Sequence, residues 1–250
     1  MLVQRRAGSL RLVTQHEHAL GSGEMATRWG GSSGRDPAPF LLVAAVGLHD
    51  VAWRPLDRRP LLDPASGLPH AFDAYPLEPR LSAYREGLDR MESCDPWIGL
   101  LGSRHYSSVL EADRAPEFLE AEGLRRARLR EELAESGRPV EPARFDRHLA
   151  VLQLLDRISL VACLTGPDVP EAERLPWLRG PFRGEADESF EYRWRDRGTL
   201  EVDPFPFRAP FDVEIGCRWL PAGPYDGQEA LTAAWRSADR GTLRVRIEPG

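Results

Sequence analysis

Five side chains able to bind metal or move protons fall where the hydrophobic pattern calls for apolar ones: His18, His49, Asp50, His105 and Asp156. His49 and Asp50 end the run FLLVAAVGLHDVAW, Phe40 to Trp53. A helix that is apolar on every side belongs in a core, and an imidazole and a carboxylate buried at its end must be satisfied. A hydrogen-bond network would do this, and so would a metal ion. Histidines with carboxylates suit a borderline or hard divalent cation such as Mn²⁺, Fe²⁺, Zn²⁺ or Mg²⁺. The pattern therefore nominates His18, His49, Asp50, His105 and Asp156 as ligands of one or two such ions, with His105 favouring a second. Asp50 and His105 are the candidate catalytic groups, because a bound divalent ion activates water and polarises a phosphoryl oxygen.

Helices must bring these residues together. Thr14 reads as an N-cap with Glu17 three positions on, a capping box, and opens a helix to about Trp29. His16 and His18 face nearly opposite ways on it, and His18 shares a side with Ser22, Met25 and Trp29. The loop after that helix contains a G-x-S-x-G match at Gly30, Ser32 and Gly34. A nucleophile elbow follows a strand, so this match carries no weight. His49 and Asp50 lie ~100° apart around their helix and reach one ion only from its end. Residues 54–72 are rich in Pro, Asp and Gly, too long for a simple connection, and read as a site cover. Asp95–Pro96 starts a third helix that carries His105. Residues 117–136 read as a solvated helix with i,i+4 charge pairs. Residues 143–164 place Phe145, Leu149, Leu152, Asp156, Ser159 and Cys163 on one stripe.

Beyond Pro167 the period changes to two: Phe190, Tyr192, Trp194, then Phe211 to Trp219, then Leu243 to Ile247. That predicts antiparallel strands, which can recruit a short opening hairpin at residues 2–13. Trp194 before DRGTLEV and Trp235 before ADRGTLRV look like two hairpins turning on Arg-Gly. The expected fold is mainly α: a helical bundle over residues 1–166 that includes the N-terminal hairpin, with 167–250 as an antiparallel β-rich region packed on it, α+β overall.

The 250 residues carry a net charge of −6, with 29% charged and 42% hydrophobic, as expected of a globular chain. The acidic balance excludes a general nucleic-acid binder. No apolar run suits a membrane span or a signal-peptide core, so the cytoplasm is the expected location. All basic residues are arginine, and asparagine is missing too. That removes Schiff-base chemistry, a PLP anchor and a P-loop lysine. Cys94, Cys163 and Cys217 lack metal-binding spacing and read as thiols.

EHALGSGEMATRWG, LLVAAVGLHDVAW, RHYSS and LLDRISLVA, in that order, resemble the first-histidine helix, the His-Asp helix, the additional histidine of two-metal members and the closing aspartate of the HD-domain superfamily of metal-dependent phosphohydrolases. The resemblance covers about residues 14–164. It implies an HD-like bundle and hydrolysis of a phosphorylated small molecule or nucleotide. One departure is Val51–Ala52–Trp53, where many HD hydrolases carry a small apolar residue, glycine and a Lys or His; a cationic helper must come from elsewhere, such as Arg54 or Arg157. TQHEHALGSGEMATRWG, LHDVAWRPLD, DPASGLP and LLDRISLVAC together look still more like an uncharacterised bacterial family of unknown function. Two other readings compete: a di-iron HD-type oxygenase, and a non-catalytic module in which the helices sense a ligand and the Trp-rich β part binds a partner. The expected partner is a small-molecule substrate, with no nucleic acid and no membrane, and a homodimer is compatible with the sequence.

Overall fold

The computed structural model describes residues 1–31, 37–169, 172, 174–184 and 188–250. Ser32 and Gly34 of the G-x-S-x-G match lie outside them. The chain opens with β1 (Leu2–Arg6) and β2 (Ser9–Val13), followed by α1 (Gln15–Arg28), α2 (Phe40–Leu48) and α3 (Arg54–Asp57). A two-stranded ribbon, β3 (Leu62–Asp63) and β4 (Leu68–Pro69), precedes α4 (Leu77–Cys94), α5 (Pro96–Ser108), α6 (Pro116–Glu135) and α7 (Pro142–Leu164). Then come β5 (Phe182–Arg183), β6 (Ser189–Trp194), β7 (Thr199–Asp203), β8 (Phe211–Pro221), α8 (Gly227–Ser237) and β9 (Asp239–Pro249).

The architecture corrects the expected helical bundle with a C-terminal β region. It is an α/β fold around one curled seven-stranded mixed sheet, in the order β1-β2-β8-β9-β7-β6-β5. Both ends of the chain build this sheet. β2 pairs antiparallel with β8, Leu10 opposite Leu220, and β7 runs parallel to β9. Period-two patterning located the half-exposed strands, but it is the same for either strand direction, which is why the parallel pair was missed. The first Arg-Gly echo is a hairpin turn, joining β6 to β7, but the second is not: Arg240 and Gly241 lie inside β9, directly across from Arg218 and Cys217 of β8. The missed α8 places Leu231 and Trp235, one turn apart, on a small second core with Leu10, Leu12 and Leu220.

The main core lies between the sheet and the helices. Phe211, Val213, Ile215 and Cys217 of β8 point inward, and α1 lies against them so closely that a Cβ on Gly21 would come within 2.8 Å of Ile215. The α1 capping box forms as read, Thr14 Oγ1 accepting from the Glu17 N–H at 3.0 Å. α2 departs from its reading: it is apolar all round yet not buried all round. Phe40 is 81% exposed, and only Leu42, Ala45 and Val46 are fully covered. α4 was missed because residues 54–72 drew attention as a loop; its Leu81, Tyr84, Leu88 and Met91 recur at helical spacing and all face the core. Among the described residues, no helix is long and apolar enough to cross a membrane.

Two glycine crossings fix the helices that matter most. A Cβ on Gly23 of α1 would lie 2.8 Å from the Gly47 Cα of α2. A Cβ on Gly87 of α4 would lie 2.3 Å from the Ala52 Cβ and 2.5 Å from its Cα, in the short 3₁₀ turn Val51–Trp53 that follows Asp50. Backbone cannot yield there as a side-chain tip can. Gly87→Ala should therefore destabilise the protein by about 1–3 kcal/mol in urea unfolding. Gly123→Ala, whose Cβ would meet only the tip of Arg126 at 3.9 Å, should be neutral or stabilising by about 0.5–1 kcal/mol. Equal effects at the two positions would mean that the α4 crossing can widen.

Candidate metal centre

All five nominated residues converge. His18 projects from the second turn of α1, and His49 and Asp50 follow the end of α2. His105 lies in the last turn of α5, and Asp156 near the middle of α7. His18 Nε2 is 2.9 Å from Asp50 Oδ2 and 3.7 Å from Asp156 Oδ1. His49 Nε2 is 3.3 Å from Asp156 Oδ1 and 3.8 Å from Asp50 Oδ2. His105 stands further back, its Nε2 4.0 Å from Asp156 Oδ2. His18 and His49 meet edge to face with centroids 5.0 Å apart, and His49 meets His105 the same way at 5.4 Å. One ligand atom from each of His18, His49 and Asp156 lies within 4.8 Å of the others.

The far side of each ring decides what the near side presents. His49 Nδ1 donates to the Val46 carbonyl at 2.6 Å. Ser159 Oγ donates its one hydrogen to the His18 carbonyl at 2.9 Å, so it accepts from His18 Nδ1 at 3.2 Å. Both neutral rings therefore carry hydrogen on Nδ1 and turn an Nε2 lone pair toward a carboxylate. A lone pair facing a carboxylate repels it unless a cation sits between them. Holding Nδ1 to an oxygen and presenting Nε2 is how metal-ligating histidines are oriented. His49 Nε2 and His105 Nδ1, both buried, have no hydrogen-bond partner among the described residues. The donor set thus fits a divalent first-row ion, with His18, His49 and Asp156 as its core and Asp50 beside them.

Burial and charge shift three of these groups. Burial disfavours the His49 cation, but Asp50 and Asp156 outweigh it and hold the imidazole up to about 9. Burial would raise the Asp156 carboxyl, but His49, His18 and His105 hold it well below the usual carboxylate range. His105 goes the other way: burial pushes it down to about 4, with Asp156 opposing only in part. It is a neutral imidazole at ordinary pH.

The centre opens into a cleft of about 460 Å³. Asp50, His105 and Asp156 form part of its floor, Trp53, Tyr84 and Tyr106 part of its wall, and Arg80, Arg114 and Arg157 its cations. Of the two arginines considered as helpers, Arg157 lines this cleft, whereas Arg54 opens into another. Trp177, from beyond α7, lines the cleft beside Phe72, 5.8 Å away edge to face. The cover expected from residues 54–72 is thus represented by Phe72. His16 lies outside the centre, and His148 accepts from Trp97 Nε1 at 3.2 Å in the core below. Sequence reasoning missed Gln15, whose Nε2 donates to Asp50 Oδ2 at 3.1 Å while its N–H is held by Asp57 Oδ2 at 2.7 Å. Its place directly after the N-cap was the available signal, since a first-turn polar side chain can reach past the helix end. Ser159→Ala frees the His18 ring, so it should weaken Zn²⁺ or Mn²⁺ binding by ~10–100-fold while unfolding changes by only about 1–2 kcal/mol. Calorimetric titration of the full-length chain reads the first and urea unfolding the second; unchanged affinity would mean that Ser159 does not set the ring.

A family profile described as a protein of unknown function, DUF3891, matches residues 1–222, from the N-terminal hairpin to just past the end of β8. No match was found among curated proteins or among solved structures. By that match over most of its length, the chain belongs to the DUF3891 family of unknown function.

Proposed function

We propose that the protein is a metal-dependent hydrolase of a phosphorylated small molecule or nucleotide, with His18, His49, Asp50 and Asp156 holding the ion and His105 available to a second. The observation that carries this reading is the pair of Nδ1-tethered histidines whose Nε2 atoms both face buried carboxylates. The order of these residues also resembles the HD superfamily. When bound, a divalent ion supplies Lewis-acid activation of water and of a phosphoryl group.

The chain's own residues do the rest. Asp50, held through Oδ2 by the Gln15 amide, orients the attacking water and accepts its proton. His105 is neutral and borders the same cleft, where it can take a ligand position or exchange a proton with substrate. Arg80, Arg114 and Arg157 supply the positive charge that a phosphoryl group needs, and they stand in for the helper that Val51–Ala52–Trp53 lacks. Arg80 suits the task, because its buried Nε has no partner among the described residues. The aromatic wall gives a base or other flat group a surface to stack on, and the cleft is large enough for a nucleotide-sized ligand.

Purified without chelator, the protein should contain about one or two equivalents of a transition metal by elemental analysis. It should release phosphate from members of a phosphomonoester panel that includes nucleotides. Asp156→Asn should lower metal affinity at least ~10-fold and weaken metal binding more than it weakens folding, because the amide is isosteric but a poorer ligand. Full metal stoichiometry in that variant, or no binding of Mn²⁺, Fe²⁺, Zn²⁺ or Mg²⁺ by the parent, would overturn the reading. Iron content with oxygen uptake and no phosphate release would favour the oxygenase instead.

A further inference from the structure

A second cleft, of about 450 Å³, lies on the other side of the first turn of α1, between that turn, α3 and the strands β8 and β9. Four arginines line it: Arg54 and Arg58 from α3 and its end, Arg218 from β8 and Arg240 from β9. Arg218 and Arg240 are direct cross-strand partners. Like charges in that relation destabilise a sheet. Among the described residues no carboxylate pairs with any of the four. Two acidic residues share the cleft: Asp57 is taken up by the Met1 amino group at 3.1 Å and the Gln15 N–H at 2.7 Å, which leaves Glu17, whose carboxylate lies against Gly216, as a single negative charge facing four guanidiniums.

The cleft is also built rather than merely charged. Arg218 stacks 4.2 Å over the Trp235 ring and donates to the Trp235 carbonyl at 2.8 Å, which fixes its guanidinium in place. Gly216 and Gly241 line the cleft without side chains that would fill it. His16 Nδ1 is buried without a partner on the same side. Four cations that share one uncommitted carboxylate keep an excess of positive charge, which is offset most simply by an anion that accepts from several of them, and Arg forks match phosphate geometry.

We propose that this cleft is a binding site for a small phosphate-bearing ligand, separate from the candidate metal centre. It shares one element with that centre. Gln15 and His18 of the first α1 turns face the carboxylates, and His16 and Glu17 of the same turns face the arginines.

The test uses inorganic pyrophosphate as the probe and the full-length chain stripped of metal with chelator, so that the result is independent of the hydrolase reading. Calorimetry should give saturable binding in the wild type, weakened at least ~10-fold in Arg54→Gln/Arg240→Gln and weakened less in Arg80→Gln, which alters only the metal-centre cleft. Arg54 and Arg240 are exposed and unpaired among the described residues, so the double variant should fold, and pyrophosphate should raise the melting temperature of the wild type but not of the variant. Equal affinity in the double variant, loss only in Arg80→Gln, or no saturable binding at ~1–10 mM would each overturn the proposal.

Discussion

Two imidazole nitrogens face two carboxylates in a space that water scarcely reaches, and the surrounding fold is arranged to tolerate this. His18 and His49 are fully buried, and Asp50 is nearly so. Uncompensated charge at such depth would cost more than most single interactions return. Compensation comes from several directions: Ser159 and the Val46 carbonyl tether the outer ring nitrogens, and Gln15 reaches Asp50. Each of these groups belongs to a different packed element, so the cluster holds its shape only while α1, α2 and α7 keep their spacing. The glycine contacts between α1 and α2, and between α4 and the turn after Asp50, set much of that spacing.

The ligand set could be read from the sequence because a polar residue on an apolar stripe is conspicuous. Asp156 among Leu152, Ser159 and Cys163, and His105 after Trp97 and Leu101, break a helical period that neighbouring residues obey. The choice of His18 over His16 followed from which side of α1 carried Met25. Gln15 and Arg80 gave no such break, since polar residues at a helix start or beside a loop are ordinary. The sheet was legible only in pieces. Alternation marks a strand and its inward face, yet says nothing about which strand lies next to it. That the C-terminal strands take up the opening hairpin was legible, but not that β8 is its neighbour or that β7 and β9 run parallel, and the fold class was misread as a bundle with an appendage. α2 was misread for a related reason: a uniformly apolar helix implies cover on all sides, but nothing in nine residues states whether that cover is present.

The first turn of α1 is the point where the two clefts meet. Its outer and inner residues take opposite sides: Gln15 and His18 toward the carboxylates, His16 and Glu17 toward the arginines. Such a turn cannot tilt toward one side without withdrawing from the other. Asp57 reinforces this arrangement by gripping the Gln15 N–H from α3, the element that also supplies Arg54.

The hairpin at the start of the chain has a consequence for how the molecule comes to be made. β2 pairs with β1 along one edge, but its other edge finds a partner only in β8, which begins far along the sequence at Phe211. During synthesis the hairpin emerges before its partner and then waits, one edge unpaired, while α1 to α7 are translated. Pairing of such sequence-distant strands is slow and leaves an exposed edge open to wrong partners in the interval. The helices cannot close over a finished sheet until β8 has left the ribosome, so their packing against it is completed late in biogenesis. A nascent chain stalled before residue 211 would hold the histidines and aspartates of the centre, yet lack the strand on which α1 rests.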